Sequence, residues 1–297
     1  MIAPFSGPFA MAGEEMKKAI DTVTPPGITV IYEDDACDNK TAISAFKKLT
    51  ELDDVHFMIG PPCGAPQETL APMFKDLDVL TLLASAATSD LYAQSGGDKM
   101  FQMQYALQDE AKFLADEMYK RGYERVAVIG YNNVFSKMYE DFFISNFKGE
   151  ITDKIIISDI GAENISTALL KLKESKPEAI MNVDASFYFD SGVRKVRELG
   201  ITVPIFSQYA TEIPGIPELA EGVIYSFPGE LSEGPNAIYS LALDTAKFLF
   251  PIVLECEGDY DCVREGLINS GEFNDKGVKN RTIILKQIVN GQGVVYE

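Results

Sequence analysis

The stretch FLADEMYKRGYERVAVIGYNNVFSKMYEDFFISNF, residues 113–147, decides the fold class. Phe113, Leu114, Met118 and Tyr119 recur at helical spacing. Val126–Ile129 is a short apolar run, and Phe142, Phe143 and Phe147 form a second helical stripe. The order helix, strand, helix repeats in both directions. Candidate strands are Ile28–Tyr32, Phe57–Ile59, Val79–Leu82, Ile155–Ile157, Ala179–Asn182, Pro204–Ser207 and Val223–Ser226. Met1–Phe5 also reads as a strand. A further helix carries Val193, Val196 and Leu199 and stops at Gly200. Alternation of this kind builds parallel sheets covered by helices, with ligands beyond the carboxyl ends of the strands. The expected fold is therefore α/β and doubly wound.

Two segments break the rhythm. Residues 235–256 predict one long, buried apolar helix. Ile283–Val289, then Asn290-Gly291, then Val294–Tyr296 predict a β-hairpin, since Asn-Gly suits the tight primed turn.

A chain of 297 residues suits two domains, and 46% apolar residues suffice for sizeable cores. Its net charge of -19 opposes binding to nucleic acid or anionic lipid. There is no uninterrupted run of about 18 apolar residues. No signal peptide is visible, and because the chain opens within a strand, a leader removed earlier is expected.

Catalytic motifs are missing: no phosphate loop, no dinucleotide fingerprint and no nucleophile elbow. The lone histidine, His56, reads as a strand-edge residue. Asp34-Asp35-Ala36-Cys37-Asp38 is acidic like a calcium loop but lacks its spacing. Neither a metal nor a cofactor is expected. Sequons stand at Asn39, Asn164 and Asn280. Cys37, Cys63, Cys256 and Cys262 fit either two disulfides in an oxidising compartment or four buried thiols.

Five segments in order resemble the type I periplasmic solute-binding proteins of the Leu/Ile/Val branch. They are Ala3–Pro8 with Gly13, Tyr32–Asp38, Ile59–Cys63, Ser85-Ala86-Ala87-Thr88, and Val196–Gly200 before Pro204. The resemblance implies a Cys37–Cys63 disulfide, and Cys256–Cys262 as a second. It implies two lobes joined by three crossovers near Gln104, Phe227 and Phe273. Lobe 1 would be residues 1–104 and 228–273, and lobe 2 residues 105–227 and 274–297. In the family the lobes close on the ligand like a hinge.

The resemblance also implies a site. Backbone amides at Gly64 and Ala65, at a helix start, would bind a carboxylate. Family members often add a serine hydroxyl where this chain has Gly64. Ser85, Ala86 and Thr88 would form the second arm, with Thr88 on the carboxylate and the Ala86 carbonyl on an ammonium. Thr88 read by itself is equally a helix cap. In lobe 2, Phe135 stands where the family often has tyrosine. Asp184 or Glu212 would balance an ammonium, Asp184 being preferred, unless the ligand has none. Phe135, Phe187 and Tyr209 would wall an apolar or aromatic ligand group, or else pack in the core. Asp184 is also a possible helix cap.

These implications add up to a monomeric, non-enzymatic capture protein. It would bind a small carboxylate, such as an amino acid, for an ABC transporter permease. It would sit in the periplasm or outside the cell, with a lipid anchor left open. The alternatives are a sensor ectodomain, an enzyme on the same scaffold, and a DNA-binding regulator. The last would need a helix-turn-helix that the sequence lacks.

Overall fold

The computed structural model describes residues 1–158 and 165–297. The sequon at Asn164 lies outside the described residues. The chain divides into two compact units: Met1–Leu107 with Glu230–Thr282, and Gln108–Gly229 with Ile283–Glu297. It therefore passes from one unit to the other three times.

Unit 1 begins with β1 (Ile2–Ala3), α1 (Ala10–Val23), β2 (Glu33–Asp34), α2 (Asn39–Lys47), β3 (Phe57–Ile59) and α3 (Gly64–Phe74). β4 (Leu80–Leu83), α4 (Asp90–Gln94) and β5 (Met100–Gln102) follow. β1 pairs with β2, and β3, β4 and β5 form a second sheet; every pairing is parallel. Ile2, Phe46, Met58, Leu70, Phe74 and Leu83 are buried in one core cluster. Each such side chain, taken fully out of water, contributes about 1.5–3 kcal/mol.

Unit 2 continues with α5 (Leu107–Lys120), β6 (Arg125–Tyr131), α6 (Val134–Asn146), β7 (Glu150–Ile157), α7 (Ile165–Glu174) and β8 (Ala179–Asn182). Then come α8 (Ser186–Phe189), α9 (Gly192–Glu198), β9 (Ile205–Ser207) and β10 (Ile224–Pro228). The chain returns to unit 1 for α10 (Ala237–Glu255) and α11 (Tyr260–Asn269). It ends in unit 2 with β11 (Ile283–Val289) and β12 (Gln292–Val295). Seven strands of unit 2 lie in the order β12-β11-β10-β9-β8-β6-β7. Those from β7 to β10 are parallel, and the final hairpin adds antiparallel strands at one edge. Asn290 and Gly291 both have positive φ, +52° and +72°, as the primed turn requires.

α10 is long and apolar enough to cross a membrane, but more than half of it is buried. Leu241, Ala242, Ala246 and Leu249 are among its buried residues, so it serves as a core helix.

Two sequence expectations are corrected, and one strand had not been expected. Ile28–Tyr32 forms no strand: the pairing with β1 lies just beyond it, with Ile2 opposite Glu33 and Ala3 opposite Asp34. β5 carried too short a signal to be noticed. Residues 274–282, expected in lobe 2, lie in unit 1. Gln102 holds them there by accepting from the Lys279 amide at 2.9 Å and donating to the Gly277 carbonyl at 2.8 Å.

Arg281 gathers the segments beside all three passages. Its Nε donates to the Met103 carbonyl (2.7 Å), Nη1 to the Glu230 carbonyl (2.9 Å) and Nη2 to Asp244 (2.8 Å). The Arg281 side chain is 4% exposed and that of Asp244 15%.

The two aspartates after β2 have opposite electrostatics. Burial opposes ionisation of Asp34. The Ser6 hydroxyl and the amides of Ala36, Phe5 and Ser6 outweigh it and hold this carboxyl below its ordinary range. Asp35 is fully buried, and the Cys37 amide donates to it (2.9 Å). Burial, with Asp34 nearby, pushes it up to about 6.

Two outcomes follow from these buried groups. Arg281→Met leaves Asp244 without its cation and should cost about 3 kcal/mol in guanidinium chloride unfolding. A loss under about 0.5 kcal/mol would mean that the clamp is not a structural tie. Asp35 keeps its proton to higher pH when folded, so it destabilises the fold as pH rises from about 4 to about 6. Asp35→Asn should flatten that slope and stabilise the protein at neutral pH, on the order of 2–3 kcal/mol. An unchanged slope would show that Asp35 is already ionised at low pH.

Candidate functional site

In unit 1 the loops that follow the parallel strands are laced to one another. Asp34, ending β2, accepts from the amides of Phe5 (2.8 Å) and Ser6 (3.2 Å) in the loop after β1. The Cys37–Cys63 disulfide, with Cα atoms 5.5 Å apart, joins the loops after β2 and β3. Gln67, buried on α3, donates to the Pro61 carbonyl (3.0 Å) and to the Ser85 hydroxyl (2.8 Å). The Thr88 hydroxyl donates to Glu68 Oε1 at 2.9 Å. Gln102 of β5 accepts from the Ala87 amide (3.2 Å) and donates to the Thr88 carbonyl (2.6 Å).

These contacts bring the expected residues of the first lobe together. Gly64 and Ala65 are the first residues of α3, and they are half-buried. Cys63 caps that helix without a side-chain hydrogen bond, its sulfur being in the disulfide. Pro66 has no N–H, so the amides of Gly64 and Ala65 carry the partial positive charge of this helix end. Ser85, Ala86 and Thr88 are buried in the loop after β4, the strand beside β3. Thr88 is not the cap of α4: Ser89 takes that position, and the Thr88 hydroxyl turns to Glu68 instead. Gly60, with φ +93°, makes the approach possible, since a Cβ there would lie 2.1 Å from the Ile2 carbonyl oxygen.

In unit 2 the corresponding loops follow β6, β8 and β9. Asp184 accepts from the Asn133 side-chain amide and from the Ser186 backbone amide, both at 2.8 Å. Among the described residues no Lys or Arg pairs with it. Asp184 is not the cap of α8, since Ala185 takes that position; its Oδ1 meets the Ser186 amide and its Oδ2 the Asn133 side chain. Glu212 differs: it accepts from the Tyr225 hydroxyl (2.5 Å) and pairs with Lys286 (2.8 Å). Lys286 also lies 3.5 Å from the Phe227 ring centre. The charge of Glu212 is thus already balanced.

The three aromatic residues are placed differently. Phe135 is half-buried at the start of α6, its ring centre 6.1 Å from that of Tyr139. Phe187 is fully buried against Gly192, where a Cβ would meet its ring at 2.2 Å. Tyr209 is buried in a short 3₁₀ turn, and its amide donates to Glu110 at 3.1 Å. Tyr131 donates its hydroxyl to Asp190, and burial, Asp190 and then Asp184 push its ionisation upward.

Asp35, Cys37 and Cys63 present donor atoms within 4.8 Å of one another, but both sulfurs are disulfide-bonded and offer no thiolate. Cys256 and Cys262 are likewise paired. His56 stands just before β3 with Nδ1 2.6 Å from the Asp78 carbonyl oxygen. A cavity of about 320 Å³ in unit 1 is lined by Met1, Ile28, Ile31, His56, Phe250 and Val253. It sits at the amino ends of the strands, whereas parallel sheets present ligands at the carboxyl ends.

Gln67, Glu68 and Gln102 were missed from sequence. For Gln67 a signal existed: it shares a helical stripe with Leu70, Ala71 and Phe74, all buried, where an apolar residue is expected.

The chain resembles known proteins over its whole length. A leucine-binding protein, LivK, from Thermotoga maritima superposes with a TM-score of 0.89 at 18% identity, covering 100% of this chain and 96% of that one. An ABC transporter solute-binding protein from R. palustris, in complex with benzoate, gives 0.85 at 14%, covering 99% and 93%. The isoleucine complex of LivJ from Streptococcus pneumoniae gives 0.83 at 20%, covering 98% and 96%. In sequence, a Leu/Ile/Val-binding protein homolog of Brucella melitensis is 26% identical over 193 residues. That alignment spans 61% of this chain and about half, 52%, of the relative. A family profile described as periplasmic binding protein matches residues 1–238, which is most of the sequence. The chain belongs to the periplasmic binding protein family, whose members bind solutes and are not enzymes.

Proposed function

We propose that the chain captures an amino acid or related small carboxylate and delivers it to an ABC importer, working as a monomer. Family membership places it in the periplasm or outside the cell. The observation that carries the ligand class is the lacing of unit 1. It sets the uncapped amides of Gly64 and Ala65 beside the loop bearing Ser85, Ala86 and Thr88. Two neighbouring donor sets of this kind suit an anionic head group.

Unit 2 supplies the opposite charge. Asp184 lacks a cationic partner, whereas Glu212 has Lys286, so Asp184 is the group for a ligand ammonium. Phe135, Phe187 and Tyr209 are proposed to shape the region that meets the ligand's apolar part. The structural neighbours include proteins bound to isoleucine and to benzoate. Both ligands are carboxylates with an apolar body, and only one has an ammonium.

Glu68 is the control on this chemistry. Its carboxylate accepts a hydrogen bond from the Thr88 hydroxyl and sits one helical turn from Gly64. It disfavours a bare carboxylate and tolerates a zwitterion.

Thermal-shift screening with amino acids and aromatic carboxylates should stabilise the protein by about 2.7 kcal/mol at a hundred times the dissociation constant. No shift across the panel would count against the proposal. Asp184→Asn should weaken an amino acid by about tenfold or more and leave benzoate unchanged; equal effects would remove Asp184 from the ammonium role. Glu68→Gln should tighten benzoate by about tenfold. Unchanged benzoate affinity would place the carboxylate away from Thr88.

A further inference from the structure

We infer that Gln104 is a ligand-binding residue, its side-chain amide donating to the carboxylate that the 84–88 loop holds. The inference rests on the proposed site in unit 1. Gln104 is 0% exposed. Among the described residues neither its Nε2 nor its Oε1 has a hydrogen-bond partner. A buried amide left unpaired destabilises the fold, so a side chain kept in that state calls for a role.

Its position supplies the role. The Met103 amide donates to the Leu83 carbonyl (3.0 Å) and the Leu107 amide to the Ala87 carbonyl (2.9 Å). Residues 103–107 are therefore held along residues 83–87, and Gln104 lies within that seam. The other buried glutamines nearby are already engaged in side-chain hydrogen bonds. Gln67 joins Pro61 to Ser85, and Gln102 joins the Ala87 amide to the Thr88 carbonyl. The Arg281 guanidinium holds the Met103 carbonyl next door, so the backbone at this point is fixed without help from Gln104. What remains at the seam is one neutral, buried amide beside the proposed carboxylate donors. A glutamine amide can add a donor there and, unlike a lysine, brings no charge to be balanced in the absence of ligand.

The test uses the full chain, the wild type, Gln104→Met and Gln104→Glu. Apo melting is measured first, followed by calorimetric titration with L-leucine, L-isoleucine, benzoate and 4-hydroxybenzoate. Gln104→Met keeps the length and removes the polar atoms. Its apo melting temperature should equal or exceed the wild type, and affinity for any probe the wild type binds should fall by about tenfold or more. Gln104→Glu should fall by about a hundredfold at neutral pH and recover on acidification, because a protonated carboxyl donates again while an ionised one repels the ligand. Unchanged affinity in Gln104→Met, or a loss of several degrees in its apo melting temperature, would overturn the assignment and make the amide structural. If the wild type binds none of the four probes, the proposed function itself fails and carries this inference with it. Wild-type binding that is insensitive to residue 104 overturns the Gln104 assignment alone.

Discussion

Buried amides hold the working edge of unit 1 in place. Parallel strands end in loops whose backbone groups have no ladder partner, and burying them requires side chains that can both give and accept. Gln67 and Gln102 do this across two successive loops, reaching Pro61, Ser85, Ala87 and Thr88. Asp34 and the Cys37–Cys63 disulfide extend the chain of ties to the loops after β1 and β2. A surface fixed in this way pays little ordering cost on binding. In the proposed function, this lets the amides at Gly64, Ala65 and Thr88 serve a carboxylate ligand.

In the proposed function, unit 2 contributes charge rather than fixed donors. Its two candidate acids differ in what already neutralises them. Lys286 and the Tyr225 hydroxyl occupy Glu212, while Asp184 is held only by neutral amides. An acid bound to neutral partners keeps its full charge available. The same logic governs Glu68 in unit 1, whose hydrogen bond to Thr88 places a negative charge beside the donor surface. On the proposed function, ligand choice becomes a balance between helix-end amides that attract a carboxylate and an acid that penalises one without an ammonium.

The α/β architecture was legible because apolar spacing switches cleanly between helical and strand periods around Val126–Ile129 and Ala179–Asn182. The hairpin was legible because Asn290-Gly291 permits few other turns. Ile28–Tyr32 misled because β-propensity marks residues that suit a strand and not which of them are paired, and the pairing falls on Glu33 and Asp34. Residues 274–282 misled because their attachment to Gln102 and Met103 runs through backbone and guanidinium bonds that leave no periodic trace. The Gly64 and Thr88 segments stood out by resemblance. Their supports did not, since a glutamine on an apolar stripe is a weak mark and Gln102 sits in a three-residue strand. The difference between Asp184 and Glu212 depends on Lys286, 74 residues further along the chain from Glu212, and spacing alone could not reveal it.

The most direct measurement of the central claim is amide chemical-shift mapping of the ¹⁵N-labelled protein while L-leucine or benzoate is added. A carboxylate gripped by main-chain donors should move the amide protons of Gly64, Ala65 and Thr88 furthest, and to lower field. If those signals stay in place while residues around Met1, His56 and Phe250 respond, the ligand enters at the other ends of the strands and the account is wrong.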